Sequence, residues 1–162
     1  MPSFDIVSKV DTQTLDNAIN AAKKEILNRF DFRNSKSEID LNKKDLTLHI
    51  LTEDNMRLDS IVDVIRQRMI KQGIQPTCLD EGKEEYASGN MLRKDIKIKQ
   101  GIDKETSKKI MSDIKSAKTK ATAQIMGEII RVQSKSINEL QSIIGVCRKG
   151  NYDIPLQFEN MK

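Results

Sequence analysis

His49 is the only histidine, and imidazole is the side chain best suited to shuttle a proton near neutral pH. It stands between Leu48 and Ile50 in an alternating segment, and nothing nearby in sequence supplies a nucleophile and an orienting group for a triad. A structural role is expected for it. The acidic pairs Glu53-Asp54 and Glu84-Glu85 lack the spacing of a metal-ligand loop and read as solvated charge. The two cysteines, Cys78 and Cys147, have no second Cys or His at ligand distance, so neither zinc nor a disulfide is expected, and both should be reduced and partly buried. There is no GxxxxGK[ST] loop and no GxGxxG turn; the seven glycines are scattered singly. The reading is a chain without catalytic residues, metal or cofactor, whose chemistry is binding.

Charge points to the ligand. Residues 93–120 carry ten bases (Arg93, Lys94, Lys97, Lys99, Lys104, Lys108, Lys109, Lys115, Lys118, Lys120) against four acids (Asp95, Asp103, Glu105, Asp113), an excess of six where the whole chain carries +4. A local positive field of this kind raises on-rate and affinity for phosphates. With 162 residues, 37% hydrophobic and 32% charged, the composition is that of a soluble globular protein. No apolar run approaches the roughly 20 residues that span a bilayer, and the first residues lack the pattern of a signal peptide, so a cytoplasmic location without membrane contact is expected.

The elements that must position these charges occur twice in the same order. Residues 4–8 read as a strand, and Asp11 is placed to cap a helix with the stripe Leu15, Ala18, Ile19, Ala22, Ile26 and Phe30. Two strands, 37–41 and 46–51, follow around a polar turn, and Leu58, Ile61, Val62, Ile65 and Met69 mark a second helix ended by Gly73. Residues 75–90, with Pro76, Gly82 and Gly89, read as a connection with one short edge strand. The series then restarts. A strand over 91–100 precedes a helix capped by Asp103; a hairpin turns at Gly127; and Ser136 with Glu139 has capping-box spacing ahead of Leu140, Ile143, Ile144 and Cys147. Residues 155–159 supply one further strand. The fold class expected is α+β: two ferredoxin-like, RNA-recognition-motif-like sandwiches of antiparallel sheet with two helices each. Taken in sequence order the domains are 1–89, with the linker, and 90–162, which carries the basic open face. The terminal strands are the ones open to exchange between the domains.

Period-2 alternation assigns the open face. If Ile96, Ile98, Ala121, Ala123, Ile125, Ile130 and Val132 face the helices, then Lys97, Lys99, Lys120, Thr122, Gln124, Arg131 and Gln133 face outward together. Such a surface donates charge-assisted hydrogen bonds to phosphates. It carries no aromatic for base stacking, which counts against ordinary RNA recognition. The aromatics lie elsewhere, in Phe4 and in Arg29-Phe30-Asp31-Phe32-Arg33, where Phe30 reads as core and Phe32 as core or hinge packing ahead of a base-stacking role.

Residues 1–8 (MPSFDIVS), the run 29–33 (RFDFR), Gln100-Gly101-Ile102, Lys108-Lys109-Ile110, and Ala123-Gln124-Ile125 leading to Ile130-Arg131-Val132 resemble the bacterial YajQ family over almost the whole chain. The chain departs from the family pattern at the turn Met126-Gly127-Glu128 and in its last five residues, Phe158 to Lys162. The resemblance implies two ferredoxin-like domains, a cytosolic location, and nucleotide or nucleic-acid binding without an established reaction. It also implies a signalling role, since cyclic di-GMP has been proposed as a ligand for some members. The partners expected are therefore a nucleotide (GTP, ATP or a cyclic dinucleotide) or, as the alternative, single-stranded RNA or tRNA in a ribosome-associated role, with a protein partner beyond. The matched motifs and the basic face together give the binding candidates Phe4, Asp5, Arg29, Phe32, Arg33, Lys97, Lys99, Lys108, Lys109, Lys120, Gln124 and Arg131.

Overall fold

The computed structural model describes residues 1–162. In chain order the elements are β1 (Ser3–Val7), α1 (Thr12–Leu27), β2 (Glu38–Asn42), β3 (Thr47–Thr52), α2 (Asn55–Lys71), β4 (Leu79–Glu81), β5 (Glu85–Ala87), β6 (Met91–Ile98), α3 (Lys104–Ser116), β7 (Thr122–Met126), β8 (Ile129–Gln133), α4 (Ile137–Lys149) and β9 (Gln157–Glu159). They form an α+β protein with two antiparallel sheets and four helices, as two ferredoxin-like sandwiches require.

The compact units are not the sequential halves 1–89 and 90–162. One is discontinuous, Met1–Lys9 with Gln100–Lys162, and the other is Val10–Lys99, inserted in the chain between β1 and α3. In the discontinuous unit the strand order is β7-β8-β1-β9, so its elements run β-α-β-β-α-β once the insertion is passed over. β1 is central: Phe4 pairs with Val132 of β8, and Ile6 lies between Ile130 of β8 and Phe158 of β9. Phe4 and Ile6 are 1% and 0% exposed and join Ile110 and Ile114 of α3 and Leu140, Ile143 and Ile144 of α4 in one core.

The inserted unit is a permuted version of the same sandwich. Its order is β2-β3-β6-β4, with β5 also on β6, so the last long strand in sequence occupies the central place that β1 holds in the other sheet. Leu48, Ile50, Ile96 and Ile98 meet the stripes of α1 and α2, including Leu15, Ile19, Leu58, Ile61 and Ile65. The first strands of the two series are thus exchanged relative to sequence order. β1 precedes α1 but pairs with β8, and β6 precedes α3 but pairs with β3. The exchange moves Lys97 into the inserted unit, and Lys99 with it.

Helix ends follow local chemistry. Asp54 and Asp103 cap α2 and α3 through the backbone N–H groups of Arg57 and Thr106. Gly73 at φ +80° lets Ile74 N–H reach the Met69 carbonyl and close α2. α1 ends at Leu27, before the Phe30–Phe32 3-10 turn. That turn redirects the chain and overturns the expectation for Phe30, which is 84% exposed, while Phe32 packs in the core at 6% exposed. No helix is long and apolar enough to cross a membrane.

Candidate nucleotide site on the discontinuous sheet

In the sheet β7-β8-β1-β9 the aliphatic side chains Ile130 and Val132 lie against α3 and α4, as alternation requires. The opposite face therefore carries Thr122, Gln124, Arg131, Gln133, Ser3 and Asp5. Cross-strand register sets them in two rows, Thr122 with Gln133 and Ser3, and Gln124 with Arg131 and Asp5. Toward the Gly127 hairpin the face becomes apolar, through Met126, Ile129 and Val7.

Arg131 is fixed in place. Its Nε donates to Asp5 Oδ1 at 2.9 Å and its Nη2 to Asp5 Oδ2 at 3.4 Å, while Asn160 Nδ2 donates to Asp5 Oδ2 at 3.0 Å. The Asp5 side chain is 4% exposed and that of Arg131 41%, so a buried carboxylate aims an accessible guanidinium. The hydrogen bond from Arg131 holds the Asp5 carboxyl below its ordinary range against the opposing effect of burial, with Asn160 assisting. Because the folded value is the lower one, this contribution to stability is complete above the unfolded value of about 3.9 and is lost as pH falls through the folded value. Asp5→Asn is expected to cost about 1–3 kcal/mol near neutral pH. Its thermal midpoint should also fall less steeply than that of the parent below about pH 4, and an equal acid slope in the two proteins would refute the role given to Asp5.

At the end of this face lies a cavity of about 570 Å³ lined by Met1, Lys120, Thr122, Gln133, Ser134, Lys135, Ser136 and Glu139. Small-ligand sites are commonly about 300–1,000 Å³. Lys120 and Lys135 make no ion pair and are exposed. Ser136, the residue before α4, and Glu139 in its first turn line the cavity beside the two lysines, and Ser136 provides no side-chain cap to the helix. The expected capping box does not form. Glu139 instead accepts from the Ser134 hydroxyl at 2.5 Å and the Lys120 backbone N–H at 3.3 Å. The Ser134 hydroxyl, with that N–H, holds the Glu139 carboxyl below its ordinary range.

Of the twelve candidates, Asp5, Lys120, Gln124 and Arg131 belong to this face and cavity. Phe4 is on the same strand as Asp5 but turned into the core, edge-to-face with Phe158 at 6.0 Å. Lys108 and Lys109 are exposed on α3, the helix that covers the other side of the sheet. Lys97 and Lys99 are corrected to the inserted unit. There β6 turns Arg93, Asp95 and Lys97 outward, with Asp80 opposite Lys97 and His49 Nδ1 2.7 Å from Asp95 Oδ1; acids crowd that face. Arg29, Phe32 and Arg33 lie in the inserted unit too. Arg29 is held by Asp31 through two 2.9 Å hydrogen bonds and sits 5.8 Å above the Phe32 ring. Phe32 itself packs in the core.

Sequence reasoning missed Lys135, Ser134 and Glu139. Lys135 lies outside the lysine-dense window, and the capping-box spacing disguised Glu139. Both cysteines are buried, and burial pushes each thiol up to about 11, away from reactivity.

The model of one family, described as nucleotide-binding protein YajQ-like, matches residues 2–162. The chain belongs to the YajQ family. A relative from Cytophaga hutchinsonii is 54% identical over 162 residues, covering all of both chains, and is named nucleotide-binding protein. Relatives of the same name from Syntrophotalea carbinolica and Chloroherpeton thalassium are 47% and 44% identical, covering 100% and 99% of this chain and 99% and 97% of their own. Identity at this level over full length extends the YajQ family assignment to both units, the inserted one included.

Proposed function

We propose that this chain is a non-catalytic, cytoplasmic nucleotide-binding protein whose site is the open face of β7-β8-β1-β9 together with the cavity at its end. The observation that carries the reading is the cavity itself: a nucleotide-sized space flanked by two unpaired lysines and a helix N-terminus, continuous with the Gln124 and Arg131 row. Lys120 and Lys135 would take the phosphates. The amides of Gln124 and Gln133 and the outer edge of the Arg131 guanidinium would meet the base or ribose. The names of the relatives support the ligand class. A free nucleotide, GTP, ATP or a cyclic dinucleotide such as cyclic di-GMP, fits better than an RNA strand. The two central strands turn Ser3, Asp5, Arg131 and Gln133 outward and offer no ring for bases to stack on.

Thermal unfolding of the full chain with each of GTP, ATP, cyclic di-GMP, single-stranded RNA and tRNA, at low and high salt, tests this. A nucleotide at about 100 times its Kd should add about 2.7 kcal/mol to the unit that binds it, a rise of several degrees. RNA should shift the midpoint weakly and lose the shift steeply with salt. A large salt-resistant shift with RNA and none with any nucleotide would replace this reading with the RNA-binding one.

A further inference from the structure

Almost every polar side chain that lines the cavity can donate a hydrogen bond. Lys120 and Lys135 only donate, and the hydroxyls of Thr122, Ser134 and Ser136 and the amide of Gln133 both donate and accept. Glu139 is the exception. It is the one acid among the lining residues, and an ionised carboxylate only accepts. Beside the two lysines it has the wrong charge for a phosphate, since like charges in a shared space repel. It is suited instead to a part of the ligand that donates.

The carboxylate is also held still. Ser134 Oγ accepts from the backbone N–H of Ser136 at 3.2 Å and donates to Glu139 Oε2 at 2.5 Å, while the Lys120 backbone N–H reaches Glu139 Oε1 at 3.3 Å. The bond from Ser134, with that N–H and the nearby Lys120 ammonium, keeps the carboxyl ionised near neutral pH. Two donors occupy about half of the four acceptor positions of a carboxylate, so a half-buried Glu139 at the cavity wall has acceptor capacity left over.

On a nucleotide the ionised phosphate oxygens accept, and the donors are the N–H groups of the base and the hydroxyls of the sugar. The sugar is the group joined directly to the phosphates. With the phosphates on Lys120 and Lys135, the sugar hydroxyls are therefore the donors closest to Glu139, while the base extends to the Gln124 and Arg131 row. We propose, resting on the nucleotide reading above, that Glu139 accepts a hydrogen bond from a ribose hydroxyl and makes the site selective for ribonucleotides over their deoxy counterparts. A deoxy sugar sets C–H against a fixed carboxylate that has lost water and gained no donor, and that mismatch is the source of the selectivity.

Isothermal titration calorimetry of the full chain tests this with GTP and ATP against their 2′-deoxy and 3′-deoxy forms, and with cyclic di-GMP against its 2′-deoxy form. At least one deoxy form should bind about tenfold or more weaker than the parent nucleotide, as a hydrogen bond to a charged acceptor requires. In Glu139→Gln, whose neutral amide oxygen accepts more weakly, the ratio should fall to about threefold or less. Ser134→Ala removes a donor to the carboxylate but leaves the carboxylate itself. It should lower the thermal midpoint as Glu139→Gln does and keep the ratio, whereas a purely structural Glu139 would leave the ratio unchanged in both variants. If Glu139→Gln fails to fold, the carbon-13 shift of the Glu139 carboxyl in the parent protein decides: it should move at saturation with the ribonucleotide and move less with the deoxy form. Equal affinity for ribo and deoxy forms, a ratio that survives Glu139→Gln, or a carboxyl signal that responds alike to both would overturn the sugar assignment alone. Failure of every nucleotide to bind would overturn the nucleotide reading and this assignment with it.

Discussion

A chain cut to residues 10–99 will fold cooperatively, whereas one cut to 90–162 will not. The first fragment keeps every strand of the sheet β2-β3-β6-β4 and both helices that cover it. The second keeps α3, β7, β8, α4 and β9 but lacks β1, which lies between β8 and β9. Without it those two strands have no common partner, and Phe4 and Ile6 leave the core. Burying those two side chains is worth about 3–6 kcal/mol, at about 1.5–3 kcal/mol each. Whole domains are stable by only about 5–15 kcal/mol, and the backbone ladder of the central strand is lost as well. Far-UV circular dichroism with urea titration of both fragments decides the matter. A cooperative transition in 90–162, or its absence in 10–99, would contradict the exchanged arrangement of β1 and β6.

The second large effect concerns which lysines bind phosphate. Replacing Lys120 and Lys135 together by Gln should lower nucleotide affinity about 10- to 100-fold, because each removes one charge-assisted contact worth about 1 kcal/mol or more. Replacing Lys97 and Lys99 by Gln should change it less than about twofold. Total charge falls equally in the two pairs, so a general field effect would treat them alike, and only placement separates them. Isothermal titration calorimetry with the nucleotide that gives the largest thermal shift reads both. Equal losses, or a greater loss from the Lys97 and Lys99 pair, would remove the site from the discontinuous sheet.

Much of this fold is legible in the sequence because burial leaves a period behind it. The stripe Leu15, Ala18, Ile19, Ala22 and Ile26 can only be a helix face, and Ile130 with Val132 only one side of a strand. Alternation says which way a side chain points, but it does not say which strand lies beside it. β1 therefore looks like the partner of α1, although its register matches β8, more than a hundred residues away. That long-range choice sent Lys97 and Lys99 to the wrong sheet while leaving Lys120, Thr122, Gln124, Arg131 and Gln133 correctly grouped. Local rules also failed where two side chains competed for one role. Glu139 matches a capping box with Ser136, yet the Ser134 hydroxyl and the Lys120 N–H take its carboxylate first. Phe30 continues the helical period of α1, but the helix stops at Leu27, and the turn that follows buries Phe32 instead. The cavity left no mark in the sequence, since it is made by the end of β8, the start of β7 and the first turn of α4 meeting in space.

The most direct test of the nucleotide site is a backbone-amide NMR titration of the full chain with the best-binding nucleotide. The account predicts saturable shift changes at Lys120, Thr122, Gln124, Arg131, Gln133, Lys135 and Ser136. Changes confined to residues between Val10 and Lys99, with the amides of β7, β8 and the start of α4 unmoved at saturation, would contradict it.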